Sequence, residues 1–168
     1  MAAVNEADWE SRIAAAWASI DQYSDESEFR ALIDSLVAEL PPDGASGAIG
    51  AFERACAFDS TGHPDTAVPL YKEALEIGLI GIRRRRAVIQ MSSSLRNIGR
   101  VNEGVELLTK ELDEPSDELD DAVRAVLALC LVDVGREREA VSVAVGALAK
   151  HLPRYQRSMA NYARLLIG

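Results

Sequence analysis

The chain has 168 residues, a formal net charge of −9, 48% apolar side chains and only 5% aromatic ones. That length buries one sizeable core, and apolar content supplied mostly by alanine and leucine suits helix–helix packing better than a sheet. The acidic balance argues against general binding to nucleic acid or anionic membrane, no apolar run reaches bilayer-spanning length, and the acidic N-terminus lacks the basic start of a signal peptide, so a cytoplasmic protein is expected.

Apolar residues at 3.6-residue spacing, and the breakers between them, predict nine helices over 5–22, 26–40, 46–60, 64–77, 81–98, 101–113, 117–134, 137–151 and 153–167. Pro41-Pro42-Asp43-Gly44 ends the second helix. Gly62-His63-Pro64 turns the third into the fourth, with Pro64 suited to a first helical turn. Gly78 and Gly81 separate the fourth from the fifth, Glu114-Pro115-Ser116-Asp117 the sixth from the seventh, and Leu152-Pro153 opens the last. No segment alternates as a strand does. A turn marker recurs at Ser24, Gly62, Gly99 and Gly135, at intervals of 38, 37 and 36 residues. A near-constant period in this range implies stacked helical hairpins, because one hairpin cannot bury its own apolar face.

Charge is uneven. Residues 1–48 carry 10 acidic and 2 basic side chains, a net of −8, whereas 49–112 come to +1 and 113–168 to −2. The run Arg83-Arg84-Arg85-Arg86 starts a helix, where cations oppose the macrodipole. Charge balance with 1–48 accounts for it; use against an acidic peptide or phosphate is the competing reading. Cys56 and Cys130 sit in apolar helical stretches and read as buried thiols, able to pair only if the fold brings them together.

The residues around each marker resemble those of the tetratricopeptide repeats. A small residue precedes the turn glycine, and small, large and small residues follow it: Ala55, Gly62, Ala67, Tyr71, Ala74; then Ser92, Gly99, Gly104, Leu108, with Glu111 in the last small position; then Ala128, Gly135, Ala140, Ala144 at the large position, and Ala147. Small side chains let helix axes approach and large ones fill the space beside them. Trp17 and Phe29 stand where the N-terminal pair should have small residues. The wording around residues 52–62, 92–100 and 152–163 is similar to a bacterial subgroup of stand-alone repeat proteins of about this length. The resemblance implies an all-α, right-handed superhelical array of antiparallel hairpins in one domain, 1–168. It divides into a degenerate pair (1–42), repeats at 46–79, 81–114 and 117–151, and a capping helix (153–167). It also implies a non-catalytic module that binds a peptide or protein segment in a concave groove, with homodimerisation the alternative.

On a helical wheel of the fifth helix, Arg86, Gln90, Ser93 and Asn97 share one narrow arc, flanked by Ile89 and Arg96, while Val88, Met91, Leu95 and Ile98 fall opposite. A solvated face explains such a stripe, but Gln, Ser and Asn also hydrogen-bond an extended backbone well. The family's carboxylate clamp is absent, since Phe52 and Cys56 occupy its first-hairpin positions. In the last helix Arg154, Arg157, Ser158, Asn161 and Arg164 share a basic side, and Tyr155, Met159, Tyr162 and Leu166 the other, expected to pack on the preceding hairpin. The candidate ligand-binding residues are therefore Arg86, Ile89, Gln90, Ser93, Arg96, Asn97, Arg154, Arg157 and Asn161. His63 and His151 are isolated, no metal-ligand spacing occurs and no glycine-rich phosphate loop follows a strand, so neither catalysis, a metal nor a cofactor is expected.

Overall fold

The computed structural model describes residues 5–168, which form nine α-helices and one 3-10 turn, with no strand among the described residues. The helices are α1 (Glu6–Ala18), α2 (Glu26–Val37), α3 (Gly44–Ser60), α4 (Pro64–Ile77), α5 (Gly81–Asn97), α6 (Val101–Glu111), α7 (Asp120–Asp133), α8 (Glu137–Ala149) and α9 (Gln156–Leu165). Each predicted helix is present, and consecutive helices pack, as in a helical-repeat protein. Gly62, Gly99 and Gly135 hold φ of 77°, 79° and 75°, the left-handed conformation that lets a helix end on a glycine without a Cβ clash.

The predicted ends shift where local chemistry competes with the helix. Ser24 has no left-handed φ. Instead α1 stops at Ala18 and the chain tightens into a 3-10 turn over Ile20–Gln22. The seventh helix begins at Asp120 rather than 117, because the Asp117 carboxylate accepts from Leu119 N at 2.7 Å while Ser116 Oγ donates to Asp120 at 2.7 Å. The last begins at Gln156 rather than 153, since Tyr155 has φ of 69° and cannot continue a right-handed helix.

Contacts divide the chain into two compact units, Met1–Ala87 and Val88–Gly168, the division falling inside α5. In the first, α1 packs on α2, α2 on α3 and α3 on α4. Its core joins Trp9, Ile13, Phe29, Ile33, Leu36 and Val37 to Ala57 of α3. The buried Trp9 indole donates to Leu36 O at 2.8 Å, which satisfies its one polar atom. Trp17 and Phe29 meet edge to face at 5.1 Å. The two large residues in small-residue positions thus occupy each other's space. Glycines let α2 and the proline turn come close to α3: a Cβ at Gly47 would lie 2.4 Å from Pro42 O, and one at Gly50 2.8 Å from a Val37 methyl.

The arginine run does serve the acidic N-terminal segment. Arg83 donates to both oxygens of Glu10 at 2.9 and 2.6 Å and, through Nε, to Glu53 at 3.2 Å. Arg86 lies over the Phe52 ring, 5.1 Å from its centroid.

In the second unit α6 packs on α7, α7 on α8 and α8 on α9 around Leu108, Val123, Leu127, Cys130, Leu131 and Ala140. The small-residue rule operates at Gly104, where a Cβ would sit 3.1 Å from Ser92 O. Glu111, which replaces a small residue, is buried. Ser142 Oγ donates to Ala163 O at 2.7 Å and fixes α9 on α8. The aromatic stripe expected to make that contact does not: Tyr155 is 74% and Tyr162 61% exposed, and Ala163 is the buried residue. The helix is turned about its axis so that its smallest side chain faces α8, where the closest approach is possible.

Candidate functional site

The polar arc of α5 lies where the wheel places it. Arg86 and Asn97 are exposed, Gln90, Ser93 and Arg96 half-buried, and Val88, Met91 and Leu95 buried. The open arc is narrow, because Ala87, Ser92 and Ser94 are buried as well. Ile89, at 9% exposure, packs with Val105, Leu108 and Val123 and is part of the core. Arg96 Nε lies 2.6 Å from Asp133 Oδ2, so within the second unit it ties α5 to the end of α7.

That tie brings into view residues that sequence reasoning missed. The open face of α7 is apolar: Leu129 is 51% and Val132 49% exposed, with Ala125 exposed one turn earlier. The signal was present. Counting from Gly99 to Gly135 carries Ser93 onto Leu129 and Arg96 onto Val132. Successive repeats therefore present a polar and then an apolar first helix.

In the first unit α3 offers no comparable face. Phe52 and Cys56 are both buried, with Phe52 tilted against Tyr71 at 6.3 Å. Tyr71 OH lies 3.2 Å from the Asp59 carboxylate, to which it donates, and 3.7 Å from Cys56 Sγ. Burial pushes the Cys56 thiol up to about 12, and the Cys130 thiol is also raised by burial. Neither is joined in a disulfide, and at each thiol burial outweighs the nearby arginine, Arg86 for Cys56 and Arg96 for Cys130, and keeps it protonated.

The structure gathers Arg154, Arg157 and Asn161 around one open cleft of about 640 Å³ on α9, together with Tyr155, Ser158 and Arg164. Gln156 Nε2 donates to Lys150 O and Leu152 O at 3.1 and 2.8 Å, holding the segment before the helix. Asn161 Oδ1 accepts from Arg164 at 3.2 Å. Arg154 and Arg157 meet no carboxylate among the described residues. No three His, Cys, Asp or Glu side chains among the described residues are grouped as a metal ion would need.

Hairpins of paired helices, left-handed turn glycines at a near-constant interval and small residues at the crossings define a helical-repeat protein. The chain belongs to the tetratricopeptide repeat family, described as tetratrico peptide repeat, whose model matches residues 48–166. Neither curated proteins nor solved structures give a match. No helix among the described residues is long and apolar enough to cross a membrane.

Proposed function

We propose that this protein is a non-catalytic interaction module that holds a peptide or protein segment in the concave groove lined by its first helices. Family membership supports an interaction role. The observation that carries the finer reading is the open surface of the second unit, where Ser93 and Asn97 of α5 stand on one side of the Arg96–Asp133 pair and Leu129 and Val132 of α7 on the other. A partner suited to it offers backbone or side-chain hydrogen-bonding groups to α5 and one apolar anchor to α7. The anchor supplies most of the affinity, because burying a leucine-sized side chain contributes roughly 1.5–3 kcal/mol, whereas a net hydrogen bond contributes about 1 kcal/mol. An acidic chain suits a protein partner rather than nucleic acid, in a cytoplasmic setting.

The test is selection from a displayed random peptide library, followed by calorimetric titration of the best binder. Asn97→Ala and Leu129→Ala should each weaken binding while leaving the melting temperature nearly unchanged. A binder insensitive to both substitutions would remove this face from consideration.

A further inference from the structure

Three arginines stand together at the C-terminal end, Arg154 just before α9 and Arg157 and Arg164 on it. Arg12, Arg54, Arg83, Arg96, Arg100, Arg124 and Arg136 each meet a carboxylate. Arg154, Arg157 and Arg164 meet none among the described residues, although they share one cleft of about 640 Å³. Residues 150–168 contain Lys150, Arg154, Arg157 and Arg164 and no acidic side chain. The helix face opposite the buried Ala163 is therefore positive and uncovered.

The first unit carries the opposite arrangement. Residues 1–48 have a net charge of −8, and several of their carboxylates are already used: Glu10 by Arg83, Asp34 by Arg54, Glu39 by Arg12. Asp21, Glu26 and Glu28 are exposed and stand outside these pairs. Asp21 and Glu26 line a second cleft, of about 260 Å³, with the rings of Tyr23 and Phe29 beside them. Of the two rings Phe29 is buried and the half-buried Tyr23 is open to a ligand; two carboxylates beside it form a receptor for a guanidinium, which forks onto carboxylate and stacks on a ring face.

We propose that the arginine face of α9 docks onto the Asp21/Glu26 cleft of a second copy of this chain. The two surfaces differ, so the contact is heterologous: a pair joined by one such contact still offers one surface of each kind to further copies. The net charge of −9 does not forbid it. At physiological salt the screening length is about 8 Å, so the charges at the contact outweigh those far from it. One helix face covers little area, which places the association among weak, transient encounters. This inference is independent of the groove reading, since none of its residues lies on α5 or α7.

Sedimentation velocity on the full chain tests it, from micromolar to several hundred micromolar protein. At about 50 mM salt the mean sedimentation coefficient should rise with concentration, and at about 500 mM salt the rise should fall at least tenfold in apparent association constant. Arg154→Glu/Arg157→Glu should stay monomeric, as should Asp21→Lys/Glu26→Lys. An equimolar mixture of the two should associate again, because the reversed charges match. Asp21→Lys alone replaces the second variant if its melting curve shows a loss of folding at α2. A wild-type chain that stays monomeric at low salt overturns the proposal. So does association that survives arginine reversal, which would point to exposed Tyr162 and Leu165, or a mixture that fails to associate.

Discussion

The indole Nε1 of Trp17 donates to Glu53 Oε2 at 2.7 Å, joining α1 to α3 through a carboxylate that is only 3% exposed. The other oxygen takes Arg83 Nε at 3.2 Å. A buried carboxylate is tolerated only when its oxygens are so paired. Glu53→Ala leaves Arg83 half-buried with one partner fewer, and should cost roughly 3–5 kcal/mol. Trp17→Phe removes one donor and should cost about 1–3 kcal/mol. Urea unfolding followed by circular dichroism measures both. Two losses below about 0.5 kcal/mol would mean the network is incidental.

Two helical glycines should respond to alanine with opposite signs. At Gly47 the new Cβ would meet Pro42 O at 2.4 Å, a backbone atom that cannot step aside. Gly47→Ala should destabilise by about 1–3 kcal/mol despite better helix propensity. At Gly146 a Cβ meets nothing within 4 Å, and Gly146→Ala should stabilise by about 0.5–1 kcal/mol. Thermal melts of the two variants decide it.

The face of α5 is open to a paired test. Leu95 is fully buried, and Leu95→Ala should cost roughly 2–5 kcal/mol. Asn97 is exposed, and Asn97→Ala should change stability by about 0.5 kcal/mol or less. Denaturant midpoints in the reverse order would mean that the helix is turned the other way.

Acid should destabilise the protein in part through a few identifiable carboxylates. The Arg12 guanidinium holds Glu39 below its ordinary range, the Ser27 hydroxyl and amide do the same for Asp25, and Lys150 and then His151 for Asp121. Each binds a proton more readily once unfolded. Their stabilisation is therefore complete above the unfolded carboxylate value of about 4 and is lost as pH falls through the lower folded values. The melting temperature should be nearly flat from about pH 7 to 5 and fall below about pH 4. Arg12→Leu should make that fall shallower, since Glu39 then titrates alike in both states.

Both thiols should be silent in the native protein. Cys56 and Cys130 are buried and their ionisation is suppressed by that burial. A water-soluble disulfide reagent should label neither within minutes, and both in denaturant. Fast native labelling of either would show that its helix opens readily.

The helices were legible because their signals are local: turn glycines, Pro64 at a first turn, apolar spacing. The polar arc of α5 followed from the same geometry. The rotation of α9 did not, because a wheel of Tyr155, Met159, Tyr162 and Leu166 records which residues share a side and says nothing about how near α8 can come. Ala163 won that contact by being small. Ile89 was placed at the edge of the polar arc, yet α5 is covered on so much of its circumference that the edge is already core. Leu129 and Val132 were not legible in the same way, because an apolar residue on a helix reads as core until the repeat interval maps it onto the open positions of α5.

The pairing of Trp17 with Glu53 and of Glu10 with Arg83 also separates two boundaries. The family match starts at residue 48. The cooperative unit does not. A fragment cut at that point would keep the Glu53 carboxylate and the Arg83 guanidinium and discard Trp17 and Glu10, and it would strip from Ala57 the apolar cover of Trp9, Phe29 and Ile33. What the repeat pattern treats as a preface is, energetically, the lid of the first repeat, and sequence likeness alone would place the cut on the wrong side of it.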